Sequence, residues 1–541
     1  MITLEINGKS VQVEPGTRVI EACKQAGVLV PHFCYHPGLP VAGNCRMCMV
    51  HIEERGRGRV DVACVAPASE GMKVTTETEA VLDARKGVME FLLLNHPIDC
   101  PYCDCAGECK LQDYFVEWGA TEEGSRRLTM PVHKPKRQPI GPTVMLDSER
   151  CVLCTRCVRF CKDITGTAEL GITERGSHNT LHLEEGKVLD NAYSGNVVDI
   201  CPVGALTDRD FRFNRRVWFL KKQDSICPGC SRGCNTEIHF DLKRDYKRHE
   251  ESKRVHRLKP RYNGAVNQWW LCDEGRYGYP EIDRNRLLTP LLKGPAGLVE
   301  SDWESALTAV CAELEQHRKH PESLGVLLSP RMSNEALLAA GALFGDGLKA
   351  GLMDYSLVQE VHGQDDALLK RADRTPNRRG AELLKLKRGN LPAGELLSGL
   401  ALDRLRALVV FRWDLATLLE DPALAEFARL RTLIVIDTHV HDWLPQTAVV
   451  LPAAMYAEQE GSFTNFEGRV QHFGKAFEPT GEARDEVSLL LELARRLGVR
   501  PGFNSLSGIR ERLAGLLPGY AEARPVTQRS TIHVSKEAAP R

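Results

Sequence analysis

Cysteine placement constrains this chain more than any other feature. Nineteen cysteines occur in 541 residues, and all but Cys311 lie at or before Cys272. The first ten residues (MITLEINGKS) have no basic start followed by an apolar stretch, so no secretory signal is expected. In a reducing compartment such thiols serve as metal ligands rather than disulfides. The sequence therefore predicts a metal-loaded N-terminal half and a metal-poor C-terminal half. No apolar run reaches the ~18 residues that a membrane span needs. Lys plus Arg (71) balance Asp plus Glu (72), which argues against a nucleic-acid binder held by net charge and against an acidic disordered chain.

The soft ligands fall into four groups. Cys34, Cys45, Cys48 and Cys64 have the spacing C-x10-C-x2-C-x15-C, three on one side of a loop and one further on, as a [2Fe–2S] cluster requires. Gly43 and Asn44 let that loop wrap tightly, and a four-cysteine zinc site is the competing reading. The second group is His96, Cys100, Cys103 and Cys109 in NHPIDCPYCDCAGEC. One imidazole replacing a thiolate makes a cluster less negative and raises its potential. Cys105 is left over. The third group is Cys151, Cys154 and Cys157, with either Cys161 or Cys201 closing a [4Fe–4S] site. Cys161 is followed by Lys162, not Pro, whereas Cys201 opens a C-P-x-G turn of the kind closing ligands take, so Cys201 is chosen. The fourth group is Cys227, Cys230, Cys234 and Cys272, where zinc competes more strongly. These sets leave Cys23, Cys105, Cys161 and Cys311 unassigned.

Around these groups the periodicity changes along the chain. Alternating apolar residues flank Asn7-Gly8, predicting a hairpin, with a helix over 17–26 and short strands over 49–53 and 60–65. A helix over 80–95 leads into His96. Residues 120–142 read as a linker, and the basic run over 243–261 as a solvated hairpin. From about 285, short buried runs at 325–329, 406–411 and 432–437 alternate with helical stretches, predicting βαβ units and a parallel sheet. The last residues, 523–541, are polar and predicted to be disordered.

No GxGxxG follows a strand in the cysteine-rich half and no Walker loop occurs, so NAD, FAD and ATP have no predicted place. The His439-Val440-His441-Asp442 stretch reads as a surface loop rather than a hydrolytic metal site. Glu458, Glu460 and Glu467 read as parts of a structural turn, with nothing to pair them. Clusters without a substrate pocket describe a one-electron relay.

The motifs HFCYHPGLPVAGNCRMCMV, NHPIDCPYCDCAGECKLQDY, SERCVLCTRCVRFC and SGNVVDICPVGALTDRDFRF together resemble the large iron–sulfur subunit of bacterial NADH–quinone oxidoreductase, respiratory complex I. LPAAMYAEQEGSFTNFEGRVQ resembles, more weakly, that family's molybdopterin-oxidoreductase-like region. The resemblance implies a multidomain α+β then α/β chain. Its parts would be a β-grasp [2Fe–2S] ferredoxin domain (1–78), a His/Cys [4Fe–4S] domain with linker (79–140) and a ferredoxin-like [4Fe–4S] domain (141–220). A molybdopterin-oxidoreductase-type [4Fe–4S] domain (221–284) and a truncated parallel-sheet α/β domain (285–522) would follow.

The resemblance assigns the first group to one [2Fe–2S] cluster and the other three to [4Fe–4S] clusters, the fourth lying off the main path. It implies electrons arriving from an FMN-bearing, NADH-oxidising subunit and leaving toward quinone. The implied partners are that subunit, a ferredoxin-like [4Fe–4S] subunit, other peripheral-arm subunits and, indirectly, the membrane arm. The implied place is the cytoplasmic face of the cell membrane, with no nucleic acid bound and no complete active site on this chain. The C-terminal region, at about 260 residues, is shorter than in usual members, and no Cys after 272 has the setting of a molybdenum ligand, so no molybdopterin is expected. Two other readings stand beside this one: the diaphorase-side subunit of a soluble NAD-linked hydrogenase or formate dehydrogenase, and a zinc-bound structural scaffold.

Overall fold

A computed structural model describes residues 1–119, 131–242, 253–295, 297–356, 363–387, 404–417, 430–441, 443–444 and 449–523. These form two compact units, Met1–Leu220 and a second that begins at Lys221.

The first unit opens with the expected hairpin. Strands Ile2–Ile6 and Lys9–Val13 pair antiparallel with Ile6 opposite Lys9, and Asn7 and Gly8 both take positive φ (48° and 80°), as a two-residue turn of matching twist demands. Ile2–Ile6 also pairs in parallel with Lys73–Thr75, a strand too short to show a pattern in sequence. Met49–Glu54 and Arg57–Val62 complete a five-stranded sheet. Period-two burial puts Leu4, Ile6, Val50, Ile52 and Val74 on one face, against Val19, Ile20, Ala22 and Cys23 of the helix Val19–Gln25. Cys23 is thus a core thiol, and burial pushes it up to about 12.

After the helix Glu79–Leu93, capped by the Thr78 hydroxyl on the Val81 amide, regular structure becomes sparse. Three-residue strands Val144–Leu146 and Leu206–Asp208 pair with each other, and Val144–Leu146 also pairs with Gln138–Pro139, so the end of the expected linker belongs to a small sheet. The first part of that linker, 120–130, lies outside the described residues.

The second unit begins with an antiparallel sheet of Lys221–Ile226, Asn235–Phe240 and Val255–Pro260. Most of the basic run, residues 243–252, lies outside the described residues, as does the tail from 524 on. A seven-stranded sheet follows. Its five strands Val449–Pro452, Thr432–Asp437, Ala407–Phe411, Leu324–Leu327 and Leu352–Asp354 are parallel neighbours in that order. Here the structure corrects the expectation of a parallel sheet. Leu291–Gly294 joins antiparallel beside Val449–Pro452 and carries Gly297–Glu300 as a hairpin, so the sheet is mixed. Only two residues separate Gly294 from Gly297, which allows only reversal, because a parallel return needs a long crossover.

The parallel strands are buried on both faces. Val409, Phe411, Ile434 and Ile436 pack into one core with the helices Trp303–Gln316, Asn334–Ala340 and Glu486–Arg496. Leu408, Val410, Leu433 and Val435 pack into another. Asp302, Ser333 and Asp485 cap those three helices through their side chains. Cys311 packs half-buried against the first core.

Candidate functional site

Four places in the chain bring soft ligands together, three in the first unit and one in the second. At the first, the Cys34 amide donates to the Cys45 sulfur at 3.4 Å. The Cys34 thiol is held well down by hydrogen bonds from Cys45 and Cys64, while the same contacts push Cys45 and Cys64 up. Cys48 is held down by the Cys64 thiol. Gly43 and Arg46 take positive φ (65° and 56°), the wrapping that Gly-Asn before Cys45 suggested.

At the second place, Cys100 lies on a single turn, Cys100–Tyr102, and the Cys103 amide donates back to the Asp99 carbonyl at 3.0 Å. Cys109 immediately precedes the short helix Lys110–Tyr114. Burial raises Cys100 and Cys103, and the nearby Cys109 adds to both. The spare Cys105 contacts Cys109: this contact raises Cys105 and lowers Cys109. A Cβ on Gly204 would stand 2.3 Å from the Cys103 sulfur, so only glycine fits there. His96 lies half-buried in the turn that follows the helix Glu79–Leu93.

The third place is an enclosed cavity lined by Cys151, Cys154, Cys157 and Cys201 among aliphatic side chains that include Val152, Leu153, Ile172, Leu181 and Val203. Leu153 and Thr155 take positive φ, and the Leu153 amide donates to the Cys151 sulfur at 3.4 Å. Burial pushes Cys151 up to about 11 and Cys201 up to about 12. Cys161 does not line this cavity; its buried thiol meets the Glu169 carboxylate instead, and burial raises it strongly.

The fourth place, in the second unit, joins Cys227, Cys230, Cys234 and Cys272. The Cys227 amide donates to the Cys234 carbonyl at 2.8 Å, and the amides of Gly229 and Gly275 donate to the sulfurs of Cys227 and Cys272 at 3.4 Å. A Cβ on Gly275 would stand 2.9 Å from the Cys227 sulfur and 3.5 Å from that of Cys272. Burial raises Cys227, Cys234 and Cys272, the last to about 11.

Four soft donors at one place are what an iron–sulfur cluster uses, and zinc is the other metal that takes such a set. A cluster spreads its ligands around a cage, and backbone amides aimed at sulfur are the second layer such a cage uses.

The three places of the first unit share one apolar core. Phe33, Met47, Met89, Leu93, Leu111, Tyr114, Val203 and Ala205 pack with Cys34 and Cys154, and Cys45, Cys109, Cys151 and Cys201 lie against the same residues. Polar contacts join them as well. Arg159 donates to the carbonyls of Cys34 (2.6 Å) and Cys154 (3.2 Å), and the Lys110 amide donates to the Pro202 carbonyl at 2.9 Å. The cysteine spacing did not expose these arginines. Arg156 and Arg159 stand visibly inside CVLCTRCVRFC, but their targets lie up to 125 residues away.

Two lesser expectations resolve as follows. Glu458 is paired, contrary to the sequence reading: its buried carboxylate accepts from Arg286 (2.7 and 3.1 Å) and Arg254 (2.7 Å), and Glu460 pairs with Arg510 at 2.9 Å. Glu467 sits in the Asn465 turn, its amide donating to that side chain at 3.1 Å. His439 meets the Glu281 carbonyl at 2.9 Å and His441 pairs with Asp437 (3.3 Å) and Asp414 (3.4 Å). Asp442 lies outside the described residues.

Comparison with known proteins follows the same divisions. Residues 1–79 match a 2Fe-2S iron-sulfur cluster binding domain, 85–123 an NADH-ubiquinone oxidoreductase-G iron-sulfur binding region, and 141–207 a ferredoxin-like domain of NADH-quinone oxidoreductase subunit 3. Residues 405–496 match the molybdopterin oxidoreductase family. The G subunit of NADH-quinone oxidoreductase from Rickettsia conorii is 32% identical over 625 aligned positions, covering 95% of this chain and 90% of the relative. That alignment is longer than the chain itself, so the relative carries residues this chain lacks. The mitochondrial NADH dehydrogenase [ubiquinone] iron-sulfur protein 1 of Solanum tuberosum is 30% identical, covering 96% of this chain and 84% of the relative. A solved structure of an NAD+-reducing [NiFe]-hydrogenase, 32% identical, covers 40% of this chain and 91% of its own at a TM-score of 0.35, too low to carry a structural argument.

Proposed function

The chain belongs to the family of large iron–sulfur G subunits of NADH-quinone oxidoreductases, and from that premise we propose which residues carry its electrons. It is an electron-relay iron–sulfur subunit of that enzyme. The proposal is that Cys34, Cys45, Cys48 and Cys64 hold one [2Fe–2S] cluster. Three [4Fe–4S] clusters are held by His96, Cys100, Cys103 and Cys109; by Cys151, Cys154, Cys157 and Cys201; and by Cys227, Cys230, Cys234 and Cys272. Electrons come from a partner that carries FMN and leave toward quinone through a ferredoxin-like partner, with the chain peripheral on the cytoplasmic face of the membrane. Among the described residues no helix is long and apolar enough to cross a membrane.

One observation carries this reading: a single apolar core touches thiols from the first three sites. Continuous protein packing between redox centres, with no water-filled gap, is what a relay needs. When bound, the clusters supply reversible one-electron storage. The chain's own residues do the rest. Aliphatic walls around Cys151–Cys157 and Cys201 keep water out, and the Leu153, Gly229 and Gly275 amides lower the charge felt at sulfur. The pair formed by Arg150 and Asp99 (2.6 Å) fixes the Cys100 turn against the loop that starts at Cys151.

No molybdopterin is proposed for the second unit. In an open sheet of this strand order a ligand would lie outside the carboxyl ends of Leu324–Leu327 and Ala407–Phe411, where the connections diverge. Trp413, just past the second of these ends, is 3% exposed, and its indole donates to the Leu328 carbonyl at 3.0 Å.

Metal content of the anaerobically purified complex tests the assignment. This chain's share should be about fourteen irons, two at the first site and four at each other. About ten irons with one zinc would make the Cys227 group a zinc site, and stoichiometric molybdenum would overturn the reading of the second unit. Co-purification with a nickel or molybdenum protein, rather than membrane subunits, would favour the hydrogenase or formate dehydrogenase alternative.

A further inference from the structure

Buried arginines in this protein fall into two kinds. Arg150 and Arg286, 5% and 7% exposed, each face a carboxylate: Asp99 at 2.6 Å and Glu458 at 2.7 Å. Arg156 is as deeply buried, at 4%, yet has no carboxylate within ion-pair distance among the described residues. Its Nη1 donates to the Ile200 carbonyl at 2.9 Å, its Nη2 donates to the Tyr35 carbonyl, and its Nε has no hydrogen-bond partner. A buried, unpaired guanidinium is strongly disfavoured unless a negative charge compensates it.

The two carbonyls identify the missing charge. Tyr35 follows Cys34 of the first site, and Ile200 precedes Cys201 of the third. The acidic groups whose charge reaches Arg156 are the thiols of Cys154, Cys201 and Cys34, with the Tyr114 phenol. Four thiolates leave an iron–sulfur cluster net negative, and reduction adds one more negative charge. We propose that Arg156 is a positioning residue placed between the [2Fe–2S] cluster and the Cys151–Cys201 cluster, whose shared counter-charge raises the potential of both. The inference rests on the ligand assignment above. A deeply buried cation between two relays, with the half-buried Arg159 beside it, favours an electron on either of them, and it offsets the cost of burying two like-charged centres close together. Arg85, also buried with no ion pair among the described residues, differs: the carboxylates of Glu77 and Glu117 lie in its field along with Cys48 and Cys23, and its hydrogen bond to the Met49 carbonyl places it beside one site, not between two.

The experiment is a redox titration of the purified complex followed by electron paramagnetic resonance, which reads each cluster's signal and midpoint separately. Arg156→Met should move the midpoints of the [2Fe–2S] signal and of the Cys151–Cys201 signal to lower potential together, with both signals still at full intensity. Arg156→Lys, which keeps the charge, should leave both near their original values, and Arg156→Gln, polar but uncharged, stands in if the Met variant does not assemble. Unmoved midpoints in the Met variant, or a Lys variant shifted as far as Met, would overturn the proposal. A shift at one cluster alone would confine Arg156 to that cluster and overturn the shared role. If the unmutated complex lacks one of the two signals, the ligand assignment fails instead.

Discussion

The two units of this chain solve the problem of a stable interior differently. In the second, the core is aliphatic and conventional: parallel strands such as Ala407–Phe411 and Thr432–Asp437 are buried throughout, and capped helices cover them. In the first, beyond the five-stranded sheet, one apolar core packs around six cysteines, and apart from the helix Glu79–Leu93 the elements around them are three to five residues long. Strands and helices that short do not hold themselves together. Burial pushes thiols such as Cys151 and Cys201 up, so the thiolate form is stable there only when a cation compensates it. On the ligand assignment proposed above, metal binding is folding free energy in residues 80–220, whereas in the second unit it would act on one corner of a core that hydrophobic burial already supports.

Stripping iron from the full chain is the strongest way to break that contrast. Chelation under reducing conditions should open residues 80–220 to proteolysis almost completely while the α/β core from Leu291 on stays protected, as peptide mapping would show. Equal protection of both regions would refute it. Next in size, Cys154→Ser should lower NADH–quinone activity by at least ~100-fold, beyond what outer-shell changes cost. NADH oxidation by an artificial acceptor at the flavin should persist, and quinone reduction at the normal rate would remove the third site from the path. Cys230→Ser should leave quinone reduction near its original rate, as the family resemblance, which puts the fourth cluster off the main path, implies.

A smaller change sharpens the hydrophobic side of the comparison. Phe411, fully buried and edge-on to Phe344 at 6.0 Å, should cost about 3–5 kcal/mol when replaced by Ala, read from the denaturant midpoint of the second unit. Smallest is the pH effect at His441. Burial, the largest influence, disfavours its charged form, but its pairs with Asp437 and Asp414 outweigh this and raise its pKa. A raised folded-state value gives stability that is full below the ordinary histidine value near 6.5 and lost as pH climbs through the folded value. Melting temperature of the second unit should thus fall slightly above about pH 6.5, and His441→Gln should flatten that slope.

Much of the site was legible because ligand geometry is local. Cys45-x2-Cys48, Cys100-x2-Cys103 and Cys227-x2-Cys230 each place two sulfurs on one turn, so spacing alone marks them. The choice of Cys201 over Cys161 rested on a C-P-x-G turn, and the structure puts Cys201 on the third cavity and Cys161 against Glu169. The hairpin at Asn7-Gly8 was readable for the same reason: two residues define it. The antiparallel edge at Leu291–Gly294 was not, since its direction depends on which strand it meets 157 to 159 positions later, at Val449 and Val450. Glu458 was misread because its partners, Arg286 and Arg254, stand 172 and 204 residues away.

By itself, then, the sequence determined which thiols stand close enough in the chain to share a turn, where regular elements start and turn, and in which part of the chain the cysteines concentrate. Each of these follows from contacts within a few residues. Only the tertiary structure decided that three cysteine groups share one apolar core, that an edge hairpin makes the sheet mixed, and that Arg156 lies buried between Tyr35 and Ile200. These depend on segments far apart in the chain meeting in a water-poor interior, where an unpaired charge or a buried thiol takes its meaning from whatever faces it.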